Sequence, residues 1–350
     1  FDADKAIGGS SLIDLLVYTE TVQKDRRVYL DFQSNSAGFS LDKLDQEART
    51  YLAKSGALLD TPLERLSKMN PMAIELYQEH GIDIRHTPLE VAVCAQHNNG
   101  GLAANHWWES INLKHLFPVG EVNGSHGVHR PGGSALNAGQ VGGFRLAEYI
   151  AHRYNTWSVD KDAARRAAVD AAAEIVDWLE RSSQSRRHWQ AERTALQTRM
   201  TRYGAHVRVL PDAQEAARQA WAQWQDIASR GLAFDGTKEL EQALCTRQLC
   251  FAHAGYLASI AFALQSGIGS RGSSVVLDPN GRQVHPSLDG GWRIAPENER
   301  YRDQVLETAF ESSQMRSRWV DRRPIPISDT WFETAWERYR KGTIYTEGKQ

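Results

Sequence analysis

Cysteine is scarce in this 350-residue sequence. Cys94, Cys245 and Cys250 are the only three, an odd number with no CxxC spacing, which argues against a disulfide framework and against a zinc site. An excess of either charge is also absent. The 41 basic and 43 acidic residues are intermixed and leave a formal net charge of -2, so no general attraction to nucleic acid or to an anionic membrane follows. Any ligand has to be recognised locally. No apolar run approaches the roughly 20 residues that cross a bilayer; the longest, Phe251 to Leu264, is interrupted by His253 and reads as a buried core helix. There is no internal repeat, no low-complexity linker, no initiator methionine and no signal-peptide pattern in the opening FDADKAIGGSS. The expectation is a segment of a longer polypeptide in a reducing cytoplasm.

What is present is ordinary globular material, 41% hydrophobic and 24% charged, enough for two or three domains. Ser11 to Thr21 is amphipathic and Val28 to Phe32 is strand-like. Ser40 to Ser55 reads as one helix with Ser40 as its N-cap, stopped by Gly56. Thr61-Pro62-Leu63-Glu64 has an N-cap threonine, a first-turn proline and a glutamate three residues on, a capping-box pattern for a helix to about Met69. Pro71 to His80 predicts another helix, with Gly81 as its stop. Pro88 to Ala95 and Leu116 to Val119 suit buried strands, the second despite its proline. Ala135 to His152 predicts a helix, and Lys161 to Arg202, Asp212 to Arg230, Thr237 to Leu264 and Glu297 to Arg318 predict a helical second half. The tail reads as turn-rich, with Trp319, Trp331, Trp336 and Tyr339 as packing residues.

One motif is a decoy. Gly267-Ile268-Gly269-Ser270-Arg271-Gly272 matches GxGxxG, but a helix precedes it and the strand-like Val275-Val276-Leu277 follows. A dinucleotide site needs the reverse order, so that the pyrophosphate meets a helix N-terminus. The motif is expected to be a helix stop and a turn.

Two polar loops carry the chemistry. In the first, Gln96-His97-Asn98-Asn99-Gly100-Gly101, a histidine after a strand is more often structural than functional; the pairing with a second loop raises its interest. The second, Gly120-Glu121-Val122-Asn123-Gly124-Ser125-His126-Gly127-Val128-His129-Arg130-Pro131-Gly132-Gly133, is bare enough for a ligand to lie against its backbone. Arg130 is a planar donor suited to a carboxylate, and Glu121 is placed to accept from a pair of sugar-like hydroxyls. The helix that starts near Ala135 turns its first N–H groups towards the same loop, which favours negative charge. Together these imply an anionic ligand.

The order His97-Asn98-Asn99-Gly100-Gly101, then Leu116-Phe117-Pro118-Val119-Gly120-Glu121-Val122, then His126 to Gly133 and a helix resembles the later part of the succinate dehydrogenase/fumarate reductase flavoprotein family, which includes aspartate oxidase. Residues 12 to 90, with Val28-Tyr29-Leu30-Asp31, resemble the end of that family's capping domain. Residues 185 to 277, with Ser270-Arg271-Gly272, resemble its helical C-terminal domain. The resemblance implies a partial α/β FAD-binding domain, a remnant α+β capping domain and an all-α C-terminal domain. The expected bounds are 1–90 for the capping part, 91–157 for the FAD-binding part, 158–272 for the helical domain and 273–350 for an extension.

It further implies FAD as cofactor, with Glu121 on the ribityl hydroxyls, backbone N–H groups of Ala135 and Leu136 on the flavin ring, and Gly120, Gly132, Gly133 and Ser134 around them. His97 and Arg130 would hold a small carboxylate substrate over the ring, and His126 would join the substrate site. The family's dinucleotide-binding βαβ unit has no counterpart in the sequence, so this chain alone is expected to be inactive. Asn98 and Asn99 depart from the family's usual loop and make the pocket more polar. Neither Arg26 nor Arg27 can be assigned as a proton donor on spacing. A cytoplasmic location, peripheral to a membrane through an electron-transfer partner subunit, is a further expectation, with no nucleic acid and no membrane span. The competing readings are a metal-dependent hydrolase using His97, His126 and His129 with Glu121 as base, and a non-catalytic helical interaction subunit.

Overall fold

The computed structural model describes residues 1–94, 97, 99–127, 132–156, 158–286, 288–324 and 331–346. It divides into two compact units, Ser10–Cys94 and the remainder.

In the smaller unit, α1 (Ser11–Tyr18) runs into a wider π turn, Thr19–Gln23, before the short strand β1 (Val28–Leu30). The single helix expected from Ser40 to Ser55 is instead two pieces. Ser40 caps a 3-10 turn, Leu41–Lys43; Leu44 is extended, and Asp45 accepts from the Ala48 N–H to start α2 (Gln46–Lys54). The second capping side chain offers the backbone an alternative to continuing the first turn. The capping box at Thr61 and Glu64 forms as expected and opens α3 (Pro62–Met69). Asn70 then separates α3 from α4 (Pro71–Glu79), because a residue before proline is pushed out of helical geometry. Gly81, at φ +77°, closes α4. β2 (Leu89–Val91) returns antiparallel to β1, with Val28 opposite Val91 and Leu30 opposite Leu89. Ile74, Ile84 and Leu89 form the core, packed by Leu63, Leu66 and Tyr77.

The larger unit is dominated by helices: α5 (Ser134–Arg153), α6 (Lys161–Ser182), α7 (Trp189–Arg199), α8 (Leu210–Arg230) and α9 (Thr237–Gln265). β3 (Val207–Arg208) lies between α7 and α8 and pairs in parallel with β4 (Val275–Gln283), which pairs antiparallel with β5 (Arg293–Ile294). Ala213, Ala216 and Ala220 bring α8 close to Ala254, Leu257, Ala261 and Leu264 of α9; small side chains on one face at helical spacing allow that approach. A second core gathers Trp178, Leu196, Ile227, Leu232, Ala243 and Cys250, with the buried Trp178 indole donating to the Ile227 carbonyl at 2.9 Å.

Three expectations fail here. Glu297 to Arg318 is not a helix: a 3-10 turn, Glu299–Asp303, leads into the antiparallel hairpin β6 (Gln304–Glu311) and β7 (Gln314–Asp321), turned by Ser312 and Ser313 at φ +49° and +61°. The hairpin lies on α9, where the Phe310 ring meets Phe251 edge-on and Thr308 bonds Ser259. That contact supplies what helix propensity alone could not foresee. Leu116 to Val119 is not a strand either. Pro118 has no N–H to give a ladder, and its carbonyl accepts from the Asn123 side chain instead. A last helix, α10 (Trp331–Arg340), lies in the tail that was expected to be turns.

Candidate functional site

The two polar loops meet. Leu102 donates its N–H to the Val122 carbonyl at 2.8 Å and accepts from Gly124 N–H at 3.1 Å, so the chain after His97 lies directly along the chain after Gly120. Gly101 makes this approach possible, because a Cβ there would stand 2.4 Å from the Val122 oxygen. Gly120, at φ +81°, opens the 3-10 turn Gly120–Val122 that carries Glu121. Asn123, buried behind it, is pinned to Pro118.

The side chains join as the backbones do. His97 Nδ1 lies 3.2 Å from a Glu121 carboxylate oxygen, and His97 Nε2 lies 2.9 Å from Nδ1 of His126. The imidazoles stack with centroids 4.9 Å apart. His126 is only 5% exposed, and its Nε2 is sealed from solvent with no hydrogen-bond partner among the described residues. His97 is partly buried and Glu121 about half exposed, so the row of side chains leads from buried His126 to the surface.

Beside the turn, α5 begins at Gly133, which takes φ +78° as its N-cap. Ala135 and Leu136 occupy the first turn, where N–H groups have no intrahelical acceptor, and the Leu136 side chain is 78% exposed. A Cβ on Gly132 or Gly133 would meet nothing within 4 Å. Gly139 and Gly142 have a different task. Gly139 faces the Gly120 Cα, and a Cβ on Gly142 would stand 2.7 Å from the Trp108 ring and 2.9 Å from Val119. These two glycines seat α5 against the loops.

Behind them is an aromatic block that the sequence reading did not identify. Trp107 stacks on Tyr149 and touches Tyr345, and the Arg145 guanidinium lies 4.6 Å from the Trp107 ring and 5.8 Å from that of Trp108. Buried Glu109 accepts from Tyr154 at 2.5 Å, from Tyr149 at 3.4 Å and from the His115 N–H at 3.0 Å. Burial and then the Glu109 carboxylate push the Tyr154 phenol well above its ordinary range. Trp108 and His115 both take positive φ, a strain that side-chain packing has to hold. Two adjacent tryptophans followed by a glutamate, in a loop between the two site motifs, were the available signal.

Arg130 and His129 lie outside the described residues, as do Val128 and Pro131. Of the expected carboxylate clamp, only His97 can be placed, and both its ring nitrogens face protein partners. His97 and His126 are bonded to each other, and among the described residues no third ligand joins them around an ion position. The group that does gather is His188, Asp235 and Glu239, but one Glu239 oxygen already accepts from the Trp189 indole at 2.8 Å and from Asp235 N–H at 2.9 Å. The GxGxxG segment follows α9 with Gly267, Gly269 and Gly272 at positive φ and leads into β4, the helix stop and turn expected of it.

The fold is similar to part of a fumarate reductase chain. It superposes on Escherichia coli quinol fumarate reductase FrdA with a TM-score of 0.61 over 89% of this chain and 57% of that one, at 15% identity. A quinol-fumarate reductase solved with menaquinol gives 0.60 over 89% and 49%, at 18% identity. Sequence carries the relationship further. Over 79 residues, 22% of this chain, it is 44% identical to one subunit of the fumarate reductase (CoM/CoB) of Methanothermobacter marburgensis. Over 119 residues, 31% of this chain, it is 34% identical to an uncharacterised FAD-dependent oxidoreductase of Methanocaldococcus jannaschii. The chain thus resembles the succinate dehydrogenase/fumarate reductase flavoproteins in sequence and in fold. The alignments span 14% and 22% of the two curated relatives, and the chain covers about half of the two solved ones. No family model matches the sequence.

Proposed function

We propose that this chain supplies the flavin-facing and substrate-facing part of an FAD-dependent oxidoreductase that acts on a small carboxylate by hydride transfer. The observation that carries the reading is the convergence of Glu121, His97 and His126 in a turn packed against α5. The residues present fit a flavin. Glu121 offers a half-exposed carboxylate suited to ribityl hydroxyls, and Gly120, Gly132 and Gly133 leave the approach bare. Ser134, Ala135 and Leu136 begin a helix whose N-terminal dipole favours negative charge. When bound, FAD supplies the ring that takes or gives the hydride; the protein's part is to orient the substrate and exclude water. Partly buried His97 and buried His126 would form one wall of the substrate site, and Arg130 is the residue proposed to hold its carboxylate.

Exposed apolar side chains support a further covering element. Leu102, Ile111, Leu113 and Val122 around the loops, with Leu136 and Phe144 on α5, are all more than half exposed. Exposed apolar side chains that gather into one patch mark an interaction site. We assign it to the flavin and to a dinucleotide-binding unit. An electron-transfer subunit completes the proposal, with a cytoplasmic protein held at the membrane by that partner. No helix among the described residues is long and apolar enough to cross a membrane.

The test is spectroscopic. The full-length protein is expected to purify with oxidised-flavin absorbance that bleaches on reduction and responds to a C4 dicarboxylate or a related acid. Full-length protein that neither retains nor takes up FAD would remove the proposal.

A further inference from the structure

With both imidazoles neutral, the proton positions along Glu121, His97 and His126 follow from one end. Ionised Glu121 can only accept, so the His97 Nδ1 that faces it at 3.2 Å carries a proton. A neutral imidazole has one N–H, so His97 Nε2 is bare and accepts. Its partner at 2.9 Å is His126 Nδ1, which must then donate. His126 has spent its only proton, and its Nε2 is left as a lone pair, in a side chain 5% exposed and with no partner among the described residues.

We infer that His97 is a positioning residue for His126, holding it in the Nδ1–H tautomer so that its buried Nε2 is kept as an unprotonated acceptor. The inference stands on this geometry and holds whether or not a flavin binds. Its arrangement is that of a carboxylate orienting one imidazole, which orients the next. An unpaired polar atom in the interior is destabilising, so such an atom is a place where a partner is expected. The partner that suits it is an N–H or O–H donor. A carboxylate, which can only accept, would be turned away from this atom.

The test uses the purified full-length protein labelled with 15N-histidine, in long-range proton–nitrogen spectra at neutral pH. His126 is expected to show a protonated Nδ1 and a bare Nε2. His97→Leu removes the acceptor, and His126 should then shift towards the Nε2–H form. His97→Gln keeps an acceptor in its amide oxygen and should restore the Nδ1–H form. The signals of His253, inside the helical core, report in the same spectra whether each variant is folded; if His97→Leu unfolds, His97→Gln and the unaltered protein still decide. An Nε2–H tautomer at His126 in the unaltered protein would overturn the inference, as would an unchanged His126 in folded His97→Leu.

Discussion

Arg199 donates to His253 Nε2 across 3.3 Å, and a guanidinium has nothing to accept with, so His253 is held neutral inside the helical unit. His253 is 5% exposed; burial, with the Arg199 charge adding to it, pulls its pKa down to about 4. An unfolded histidine titrates near 6.5. Between those values the unfolded chain binds the proton that the folded chain refuses. This contribution to stability is therefore complete above about pH 6.5 and is lost as pH falls towards 4. The full swing is on the order of 3 kcal/mol. Urea midpoints measured from pH 7.5 down to 4 should fall, and His253→Gln should flatten that fall. An unchanged slope in the variant would assign the acid sensitivity to other groups.

Cys250 is another ionisable group in the helical unit. It is fully buried, and desolvation, with the Glu192 carboxylate, raises its thiol to about 12. Only a thiolate reacts quickly with disulfide reagents. Cys94 and Cys245 are exposed. Titration of the native protein with such a reagent at pH 8 should modify those two promptly and leave Cys250 for denaturant to release.

The loop pairing at the site can be tested through neighbouring glycines. A methyl group on Gly101 would overlap the Val122 carbonyl and the Asn123 backbone, whereas one on Gly100 meets nothing within 4 Å. Gly101→Ala should cost about 1–3 kcal/mol, as overpacking does, and should lower flavin retention by separating His97 from Glu121. Gly100→Ala should leave both within error. Thermal melts and the flavin-to-protein absorbance ratio measure the two effects.

Local signals in the sequence were read where a few adjacent residues decide the outcome. The Thr61–Glu64 capping box, the glycine stop after Pro71 to Glu79 and the wrong order of elements around Gly267 to Gly272 are of this kind. The meeting of the two loops was partly legible, because each combines glycines with a histidine and the second adds Glu121; the Arg130 half of the expected clamp lies outside the described residues. The β6–β7 hairpin was not. Its many charged residues suit a helix, and what favours the hairpin is packing on α9 some 50 positions away, through Thr308 and Ser259 and through Phe310 and Phe251. The aromatic block was missed for a similar reason: Trp107 and Trp108 acquire meaning only when Arg145 and Gly142 of α5 come against them.

Gly142 and Gly143 turn that last point into a measurement. In a helix interior, glycine is about 1 kcal/mol worse than alanine, so a neutral site gains stability on Gly→Ala. Gly143 is such a site, with nothing within 4 Å of an added Cβ, and Gly143→Ala should raise stability by up to about 1 kcal/mol. At Gly142 the added methyl falls 2.7–2.9 Å from the Trp108 ring and Val119. Trp108 is at φ +62° and packed beside Arg145, so it cannot yield without moving the loop. The overpacking cost of about 1–3 kcal/mol then meets or exceeds the gain in propensity. Gly142→Ala should lower the melting temperature while Gly143→Ala raises it, and Gly142→Ala with Trp108→Phe, which shortens the ring system, should recover part of the loss. If both alanine variants stabilise equally, α5 is not seated on Trp108, and the first turn of the helix is positioned by something else.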